Sequence, residues 1–324
     1  METRQLGNTD LQIAPIVFGG NVFGWTLDEA GSFAILDQLL ERGFSTIDTA
    51  NVYSRWAPGN QGGESETILG KWMKARGNRD QITLITKVGH DLGQGHHDLT
   101  AGHIAEGIED SLRRLQTDRI DLYFSHFDDL RTPVEETMGA FDKLVQAGKV
   151  RWLGASNLSA ERIEASISAS AQNDWAAYHV IQPEYHLLAR QKFETEYVPL
   201  CQKWSLAAIT YFSLASGFLS GKYRSSDDLS QSLRGGRVEK YLENPQSPGV
   251  LKALEEVAEK HDATMATIAL AWILAKPTVA APIASATKAS HLEAMTAAVA
   301  LQLDDADLRT LDQASAWDES LAAR

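Results

Sequence analysis

Short apolar runs alternate with amphipathic stretches along the whole chain of 324 residues. The runs are rich in Val, Ile, Leu and Phe, as expected of strands buried on both faces, and they lie at 13–19, 44–50, 82–88, 120–126, 150–156, 180–185, 206–212 and 279–285. Between them, apolar residues recur at helical spacing, for example over 28–43, 99–116, 134–149 and 248–262. Eight strand–helix units favour an α/β fold of the (β/α)8 TIM barrel type over an open doubly wound sheet.

Three segments fall outside this repeating pattern. Residues 4–13, RQLGNTDLQI, predict an N-terminal β-hairpin that turns at Gly7-Asn8 and closes the bottom of the barrel. Residues 304–316 predict an extra C-terminal helix, and residues 222–247 predict a long irregular loop at the face where barrel active sites lie. No linker interrupts the pattern, so we expect residues 1–324 to form a single domain.

Composition and charge narrow the classes of partner. The chain has 30 Lys and Arg against 43 Asp and Glu, a net charge of −13, and no basic block, which argues against nucleic-acid binding. Cys201 is the single cysteine, so intramolecular disulfides and cysteine zinc clusters are excluded, and its context predicts the buried side of a helix. Neither a signal-like segment nor a membrane-length apolar run is present, so we expect a cytoplasmic protein with no membrane partner. The oligomeric state stays open.

Polar side chains close three successive strands of the predicted barrel. Asp48 ends the second strand, Lys87 the third and His126 the fourth, while Tyr53 lies in the loop after the second. Adjacent strands are about 4.8 Å apart, so these side chains can project into one site. Taken singly, each has a structural explanation: a turn cap, a surface phenol or a buried histidine. Their position at successive strand ends favours function.

An acid, a lysine, a phenol and an imidazole together suit the reduction of a carbonyl group. We expect Lys87 to lower the pKa of Tyr53 from its usual value of about 10, and Asp48 to pair with Lys87. Tyr53 would protonate the carbonyl oxygen while His126 donates a hydrogen bond to it. The set contains no reductant, so a cofactor must deliver hydride.

The chain resembles the aldo-keto reductases over nearly its whole length. The similarity is carried by IDTANVY (47–53), ESETILG (64–70), ITKVG (85–89), DLYFSHFDD (121–129), GKVRWLGASN (148–157), QPEYHLL (182–188), YFSLASGFLSGKY (211–223) and PIASATKASHLE (282–293). The family's catalytic tetrad falls on Asp48, Tyr53, Lys87 and His126. The resemblance implies an NADP-dependent reductase of an aldehyde or small ketone.

The resemblance also implies an extended NADPH across the barrel mouth, with NADH as the open alternative. The nicotinamide half would contact residues at the ends of several strands, namely Asp48, Ser156, Asn157, Gln182 and the stacking ring of Tyr211. The pyrophosphate would lie along Ser213, Leu214, Gly217 and Leu219, and the adenosine end along Ser285, Thr287, Lys288 and His291. The family's usual arginine, glutamine and asparagine are here Thr287, His291 and Met295, which leaves Lys288 to pair with a 2′-phosphate.

Three aromatic residues follow strand ends and are candidates for the substrate pocket: Trp25, Trp56 and Phe127. Two other functions remain open. A nicotinamide-binding, redox-sensing regulatory subunit would use the same fold, as the family's ion-channel auxiliary subunits suggest. A metal-dependent barrel hydrolase is less favoured, because the first strand lacks a His-x-His pair. We therefore expect no metal, and we expect HDLGQGHHD (90–98) to be a flexible, solvated loop.

Overall fold

Eight parallel strands close into a barrel in the computed structural model, which describes residues 2–231, 233 and 235–317. A two-stranded antiparallel hairpin precedes the barrel, and the last strand pairs back onto the first strand of the barrel. In chain order the strands are β1 Arg4–Gln5, β2 Gln12–Ile13, β3 Val17–Gly19, β4 Thr46–Asp48, β5 Thr83–Val88, β6 Ile120–Ser125, β7 Val150–Ser156, β8 Tyr178–Gln182, β9 Ala207–Thr210 and β10 Val279–Ala284.

Helices surround the barrel and follow its strands in the order expected of this fold. They are α1 Glu29–Glu41, α2 Glu64–Arg76, α3 Ala101–Leu115, α4 Val134–Gln146, α5 Ala160–Asn173, α6 Val198–Trp204, α7 Glu239–Leu242, α8 Ser247–Lys260, α9 Met265–Leu274, α10 Ala289–Ala300 and α11 Asp305–Ala314. A π-helical turn at Phe193–Tyr197 leads into α6. The predicted (β/α)8 TIM barrel is confirmed, with strands somewhat shorter than their apolar runs.

The parallel register brings the carboxyl ends of the strands to one level. Asp48 at the end of β4 is opposite Ile85 of β5, and Lys87 of β5 is opposite Phe124 of β6. Ser156 at the end of β7 is opposite Gln182 at the end of β8. This register places the polar residues of several strands around one opening, which is the end of a barrel where active sites form.

The N-terminal hairpin closes the other end of the barrel, as predicted. Leu6, Leu11 and Ile13 are buried in one cluster with the apolar side chains of the barrel interior. Gly7 has a φ of 59°, and a Cβ there would lie 3.1 Å from the Cβ of Ala207, so the turn is seated against the start of β9. Removing such apolar side chains from water is the main stabilising contribution to the closed end.

The segment after β9 is more ordered than the irregular loop that we expected. It contains short 3₁₀ turns at Ala215–Ser220, Ser226–Gln231 and Gly235–Arg237, followed by α7. The extra C-terminal helix is confirmed as α11, whose first turn is capped reciprocally by Asp304 and Asp307. The single domain of residues 1–324 stays a prediction, since Met1 and residues 318–324 lie outside the described residues. Within the described ranges, no helix is long and apolar enough to cross a membrane.

Candidate active site

A lysine at the barrel mouth joins a carboxylate and a phenol. The Nζ atom of Lys87 donates hydrogen bonds to Asp48 Oδ2 at 2.7 Å, to the Thr49 carbonyl at 2.8 Å and to Tyr53 Oη at 3.0 Å. The Tyr53 hydroxyl in turn donates to Asp48 Oδ2 at 3.2 Å. All three N–H donors of the ammonium group are therefore used, and their directions fix the lysine in one orientation.

The local chain path explains how Tyr53 reaches the strand ends. The Thr49 amide still donates to the Ile85 carbonyl at 2.8 Å, which extends the pairing of β4 and β5 by one residue. The chain then turns, with the Tyr53 amide donating to the Ala50 carbonyl at 3.1 Å. Ser54 adopts a φ of 73° and its hydroxyl donates to the Phe23 carbonyl at 2.5 Å, which anchors the turn.

The ion pair between Asp48 and Lys87 is almost completely removed from solvent. The side chains are 1% and 0% exposed, so each charge depends on the other for its stability. Gln182 Nε2 donates to the second carboxylate oxygen of Asp48 at 2.9 Å, so both oxygens are hydrogen-bonded. Burial lowers the pKa of Lys87, because the charged ammonium is disfavoured away from water, while the nearby carboxylate opposes that effect.

The pKa of Tyr53 differs from the sequence-based expectation. It lies well above its ordinary value, because burial disfavours the phenolate and the Asp48 carboxylate repels it. The prediction that Lys87 lowers this pKa is therefore wrong: the Lys87 charge is matched by Asp48, and burial outweighs what remains. A phenol that stays protonated at neutral pH can act as a proton donor.

His126 completes the group at the mouth. It follows β6 directly, and its ring centroid lies 6.0 Å from that of Tyr53. Burial, followed by the charge of Lys87, holds the pKa of His126 well below its ordinary value. The imidazole is therefore neutral at neutral pH and carries one N–H donor. Its Nδ1 atom is buried and finds no hydrogen-bond partner among the residues that the structure describes.

The histidine-rich segment after β5 packs against His126. The His90 ring centroid lies 5.2 Å from that of His126 and 4.8 Å from that of Phe127. The His97 ring stacks on Phe127 at 4.6 Å and 15°. Residues 93–96 are exposed, as expected of a solvated loop, whereas His90 and His97 are half-buried and contact the site. In the described part of the chain, no group of three or more His, Cys, Asp or Glu residues is arranged to hold a metal ion.

The residues predicted to contact the nicotinamide are linked by hydrogen bonds and lie beside Asp48 and His126. Asn157 has a φ of 56°, and its Nδ2 atom donates to the His126 carbonyl at 2.8 Å. Its Oδ1 atom accepts a hydrogen bond from the Tyr211 hydroxyl at 2.7 Å. The Ser156 hydroxyl donates to the Gln182 carbonyl at 2.8 Å. Because Gln182 also contacts Asp48, the structure brings all five predicted residues together.

The loop after β9 contains three successive residues in the left-handed conformation. Ala215, Ser216 and Gly217 follow one another with φ values of 47°, 58° and 96°. The Ala215 amide donates to the Phe212 carbonyl at 2.6 Å, and the Gly217 amide donates to the Leu214 carbonyl at 2.8 Å. A Cβ on Gly217 would lie 3.5 Å from Nζ of Lys222, so an ammonium group borders the same turn. We did not single out Lys222 from the sequence, although it lies in the matching segment 211–223.

Other residues predicted along this loop contribute differently. Leu214 is half-buried and packs against the core, and Leu219 is fully buried, so only the backbone of Leu219 can face a ligand. Ser213 is also buried, and its hydroxyl donates to the Thr210 carbonyl at 3.2 Å.

Some of the residues predicted to bind the adenosine end of the cofactor form hydrogen bonds within the protein itself. The Ser285 hydroxyl lies 2.7 Å from the Gly19 carbonyl oxygen and 2.8 Å from Asn21 Oδ1. The Thr287 amide donates to Nδ1 of His291 at 3.2 Å, so this ring folds back onto its own loop. Lys288 is exposed at the start of α10 and is available to an anion.

Met295 does not take part in the predicted binding site for the adenosine end of the cofactor. It is 2% exposed and belongs to the hydrophobic core. The residue at the family's usual asparagine position therefore contributes to packing in this chain.

Two tryptophans form an aromatic wall next to Tyr53. The ring centroids of Trp25 and Trp56 lie 5.7 Å apart, and those of Trp56 and Tyr53 lie 5.9 Å apart. On the other side of the site, the Phe127 ring is 5.3 Å from that of His126. Trp56 and Phe127 thus border the candidate catalytic group, and Trp25 packs against Trp56. An unexpected neighbour is Arg237, whose guanidinium lies over the rings of both tryptophans.

Comparison with known proteins agrees with the fold. A model described as the aldo/keto reductase family matches residues 15–316, so the chain belongs to this family of oxidoreductases. It is 34% identical over 320 residues to an uncharacterized oxidoreductase, YrpG, of Bacillus subtilis (strain 168), covering 96% of this chain and 95% of that protein.

Two further relatives show the range of the family. The chain is 31% identical over 345 residues to the aldo-keto reductase AFTS1 of Alternaria alternata, covering 96% of this chain and 91% of that protein. It is 32% identical over 300 residues to a probable voltage-gated potassium channel subunit beta of Oryza sativa subsp. japonica, and the match covers 90% of this chain and 89% of that protein. The predicted family resemblance is confirmed.

Proposed function

We propose that this protein is an NADPH-dependent reductase that converts an aldehyde or small ketone to the alcohol. The observation that carries the proposal is the hydrogen-bonded group of Tyr53, Lys87 and Asp48 at the barrel mouth, with the neutral imidazole of His126 beside it. Bound nicotinamide would supply the hydride, which this set of side chains lacks.

Each residue of the group has a distinct role in the proposed reaction. His126 donates a hydrogen bond to the carbonyl oxygen and so orients the substrate. As the carbonyl carbon gains hydride, the oxygen gains negative charge and takes the proton of the Tyr53 hydroxyl. The phenolate that remains accepts the hydrogen bond that Lys87 already donates at 3.0 Å. Asp48 holds Lys87 in place and offsets the cost of burying its charge.

The residues of the mouth fit a dinucleotide phosphate. The amide and hydroxyl groups of Asn157, Gln182 and Tyr211 suit a carboxamide and an aromatic ring, and they lie beside the reacting group. Lys222 next to the left-handed turn at Gly217 suits a pyrophosphate. Exposed Lys288 at the start of α10 suits the 2′-phosphate, where a point charge and a helix N-terminus act together.

Titration of the purified protein with NADPH and NADH, followed by fluorescence, tests the cofactor assignment. We expect NADPH to bind more tightly, and Lys288→Gln to weaken NADPH about tenfold, the loss expected for one charge-assisted contact. NADH affinity should stay unchanged in that variant. Lys252→Gln removes a charge from the exposed face of α8 and serves as the control. Equal affinity for the two cofactors in the parent protein would refute the NADPH preference.

A regulatory role is the second candidate, and the similarity to the rice potassium channel subunit is compatible with it. The same nicotinamide site would then serve as a redox sensor, with slow or no turnover. Reduction of 4-nitrobenzaldehyde with NADPH over many cycles supports the enzyme, whereas stoichiometric cofactor binding without turnover supports the regulatory subunit. Membership of an oxidoreductase family disfavours the metal-dependent hydrolase.

A further inference from the structure

An arginine from the loop after β9 reaches across the barrel mouth to the aromatic wall. The guanidinium carbon of Arg237 lies 5.6 Å from the ring centroid of Trp25 and 5.3 Å from that of Trp56. Trp25 belongs to the loop after β3 and Trp56 to the loop after β4, next to Tyr53. A single aromatic ring thus separates the positive charge of Arg237 from the proposed proton donor.

No acidic partner of this positive charge is found in the part of the chain that the structure describes. Among residues 2–231, 233 and 235–317, no carboxylate forms an ion pair or a hydrogen bond with Arg237. Two other cations near the mouth are matched, Lys87 by Asp48 at 2.7 Å and Arg162 by Asp128 at 3.0 Å.

The side chain of Arg237 is exposed, so its guanidinium is open to a ligand. A cavity of about 580 Å³ borders Arg237 on the side of α7, and its lining includes Glu239 and Glu243, yet neither carboxylate pairs with the guanidinium. Burial of part of the side chain lowers the pKa of Arg237.

We propose that Arg237 binds an anionic group of the substrate, and that the preferred substrates are aldehydes or ketones carrying a carboxylate across an aromatic or similarly flat body. The inference rests on the proposed carbonyl reduction and names its substrate class. A guanidinium held over aromatic rings keeps N–H donors for a carboxylate, which it can bind in a bidentate manner. Trp25 and Trp56 would contact the apolar body, while Tyr53 and His126 hold the carbonyl.

A carboxylate explains the position of Arg237 better than a cofactor phosphate does. The cationic groups suited to phosphates are Lys222 at the turn of Gly217 and Lys288 at the start of α10. Arg237 instead contacts the two tryptophans on the Tyr53 side of the mouth. With a net charge of −13 on the whole chain, an anionic substrate also needs a local cation to enter the site.

The test compares two aldehydes of nearly the same shape and different charge, 4-carboxybenzaldehyde and methyl 4-formylbenzoate. We expect the parent protein to reduce the carboxylate with the higher kcat/KM. Arg237→Gln should lower kcat/KM for the carboxylate about 10- to 100-fold, mainly through KM, as expected for the loss of a charge-assisted contact. The ester should change less than about twofold, since it makes no such contact.

A matched control and a binding measurement make the outcomes decisive. Lys240→Gln removes a positive charge from the same segment, three residues further on, where the ammonium lies over Tyr241 and not over the tryptophans. It should retain the preference for the carboxylate. An equal loss for both aldehydes in Arg237→Gln would overturn the inference, and so would weakened NADPH binding with an unchanged preference.

The same assay separates this inference from the function on which it rests. If the parent protein reduces the ester but shows no preference for the carboxylate, the substrate class is wrong and the carbonyl reductase stands. If it reduces neither aldehyde with NADPH, the proposed function fails and the substrate class fails with it.

Discussion

Replacement of Tyr53 by Phe is expected to lower kcat for aldehyde reduction about a hundredfold to ten-thousandfold, the usual contribution of a general acid. The hydroxyl is the group that protonates the carbonyl oxygen, and its raised pKa keeps it protonated at neutral pH. Phe retains the ring that packs against Trp56. NADPH affinity should therefore change little, and steady-state kinetics with a fluorescence titration check both statements.

A second tyrosine provides the control for loss of a hydroxyl. Tyr197→Phe removes a phenol that donates to the Leu158 carbonyl at 2.8 Å, outside the candidate site. It should cost about 1 kcal/mol of stability and leave kcat unchanged. Full turnover in Tyr53→Phe would show that Tyr53 is not the acid.

Replacement of Lys87 by Met is expected to abolish most activity and to lower the free energy of unfolding by about 3–5 kcal/mol. The substitution leaves the Asp48 carboxylate buried, 1% exposed, with only the hydrogen bonds from Gln182 and Tyr53. An uncompensated buried charge is among the most destabilising changes in a protein. Urea denaturation of the two proteins measures the difference.

The double variant Asp48→Asn/Lys87→Met distinguishes charge from packing. It removes both charges, so most of the lost stability should return, whereas activity should stay low because nothing supports a Tyr53 phenolate. If Lys87→Met alone costs less than about 1 kcal/mol, the two side chains do not behave as a buried ion pair.

The barrel and the grouping of the candidate catalytic residues at its mouth were predictable for the same physical reason. Strands buried on both faces leave continuous apolar runs, and a parallel sheet brings the end of each run to one level. A charged residue at the end of such a run, such as Asp48 or Lys87, is therefore conspicuous. Its neighbour in space can be inferred, because it lies at the end of the adjacent strand. The order of the strands was enough to predict which of these residues lie close together, without any knowledge of side-chain conformations.

The balance of electrostatic effects in the site was not predictable. The spacing of Tyr53 and Lys87 indicated a favourable charge near the phenol, but the pKa depends on how far burial outweighs it. Only the structure shows that Asp48 lies within hydrogen-bond distance of both groups. The sequence-based prediction paired Asp48 with Lys87, but it missed how far burial of the phenol and repulsion by the same carboxylate raise the pKa of Tyr53.

Contacts between loops were missed because no periodic pattern marks them. Arg237 and Trp25 are more than two hundred residues apart, and a single arginine in a polar segment gives no indication of its partner. The same holds for His90 and His97, whose polar neighbours suggested solvent, although their rings pack on His126 and Phe127. These contacts depend on how loops of different strands meet over the barrel.

The proposed chemistry can be followed by isotope transfer from cofactor to product. The protein is incubated with 4-nitrobenzaldehyde and NADPH that carries deuterium in place of both hydrogens at C4 of the nicotinamide, and the alcohol is analysed by mass spectrometry. We predict one deuterium at the carbinol carbon of 4-nitrobenzyl alcohol, because hydride passes directly between the two carbons. Absence of the alcohol, or alcohol without deuterium, would contradict a hydride-transferring carbonyl reductase.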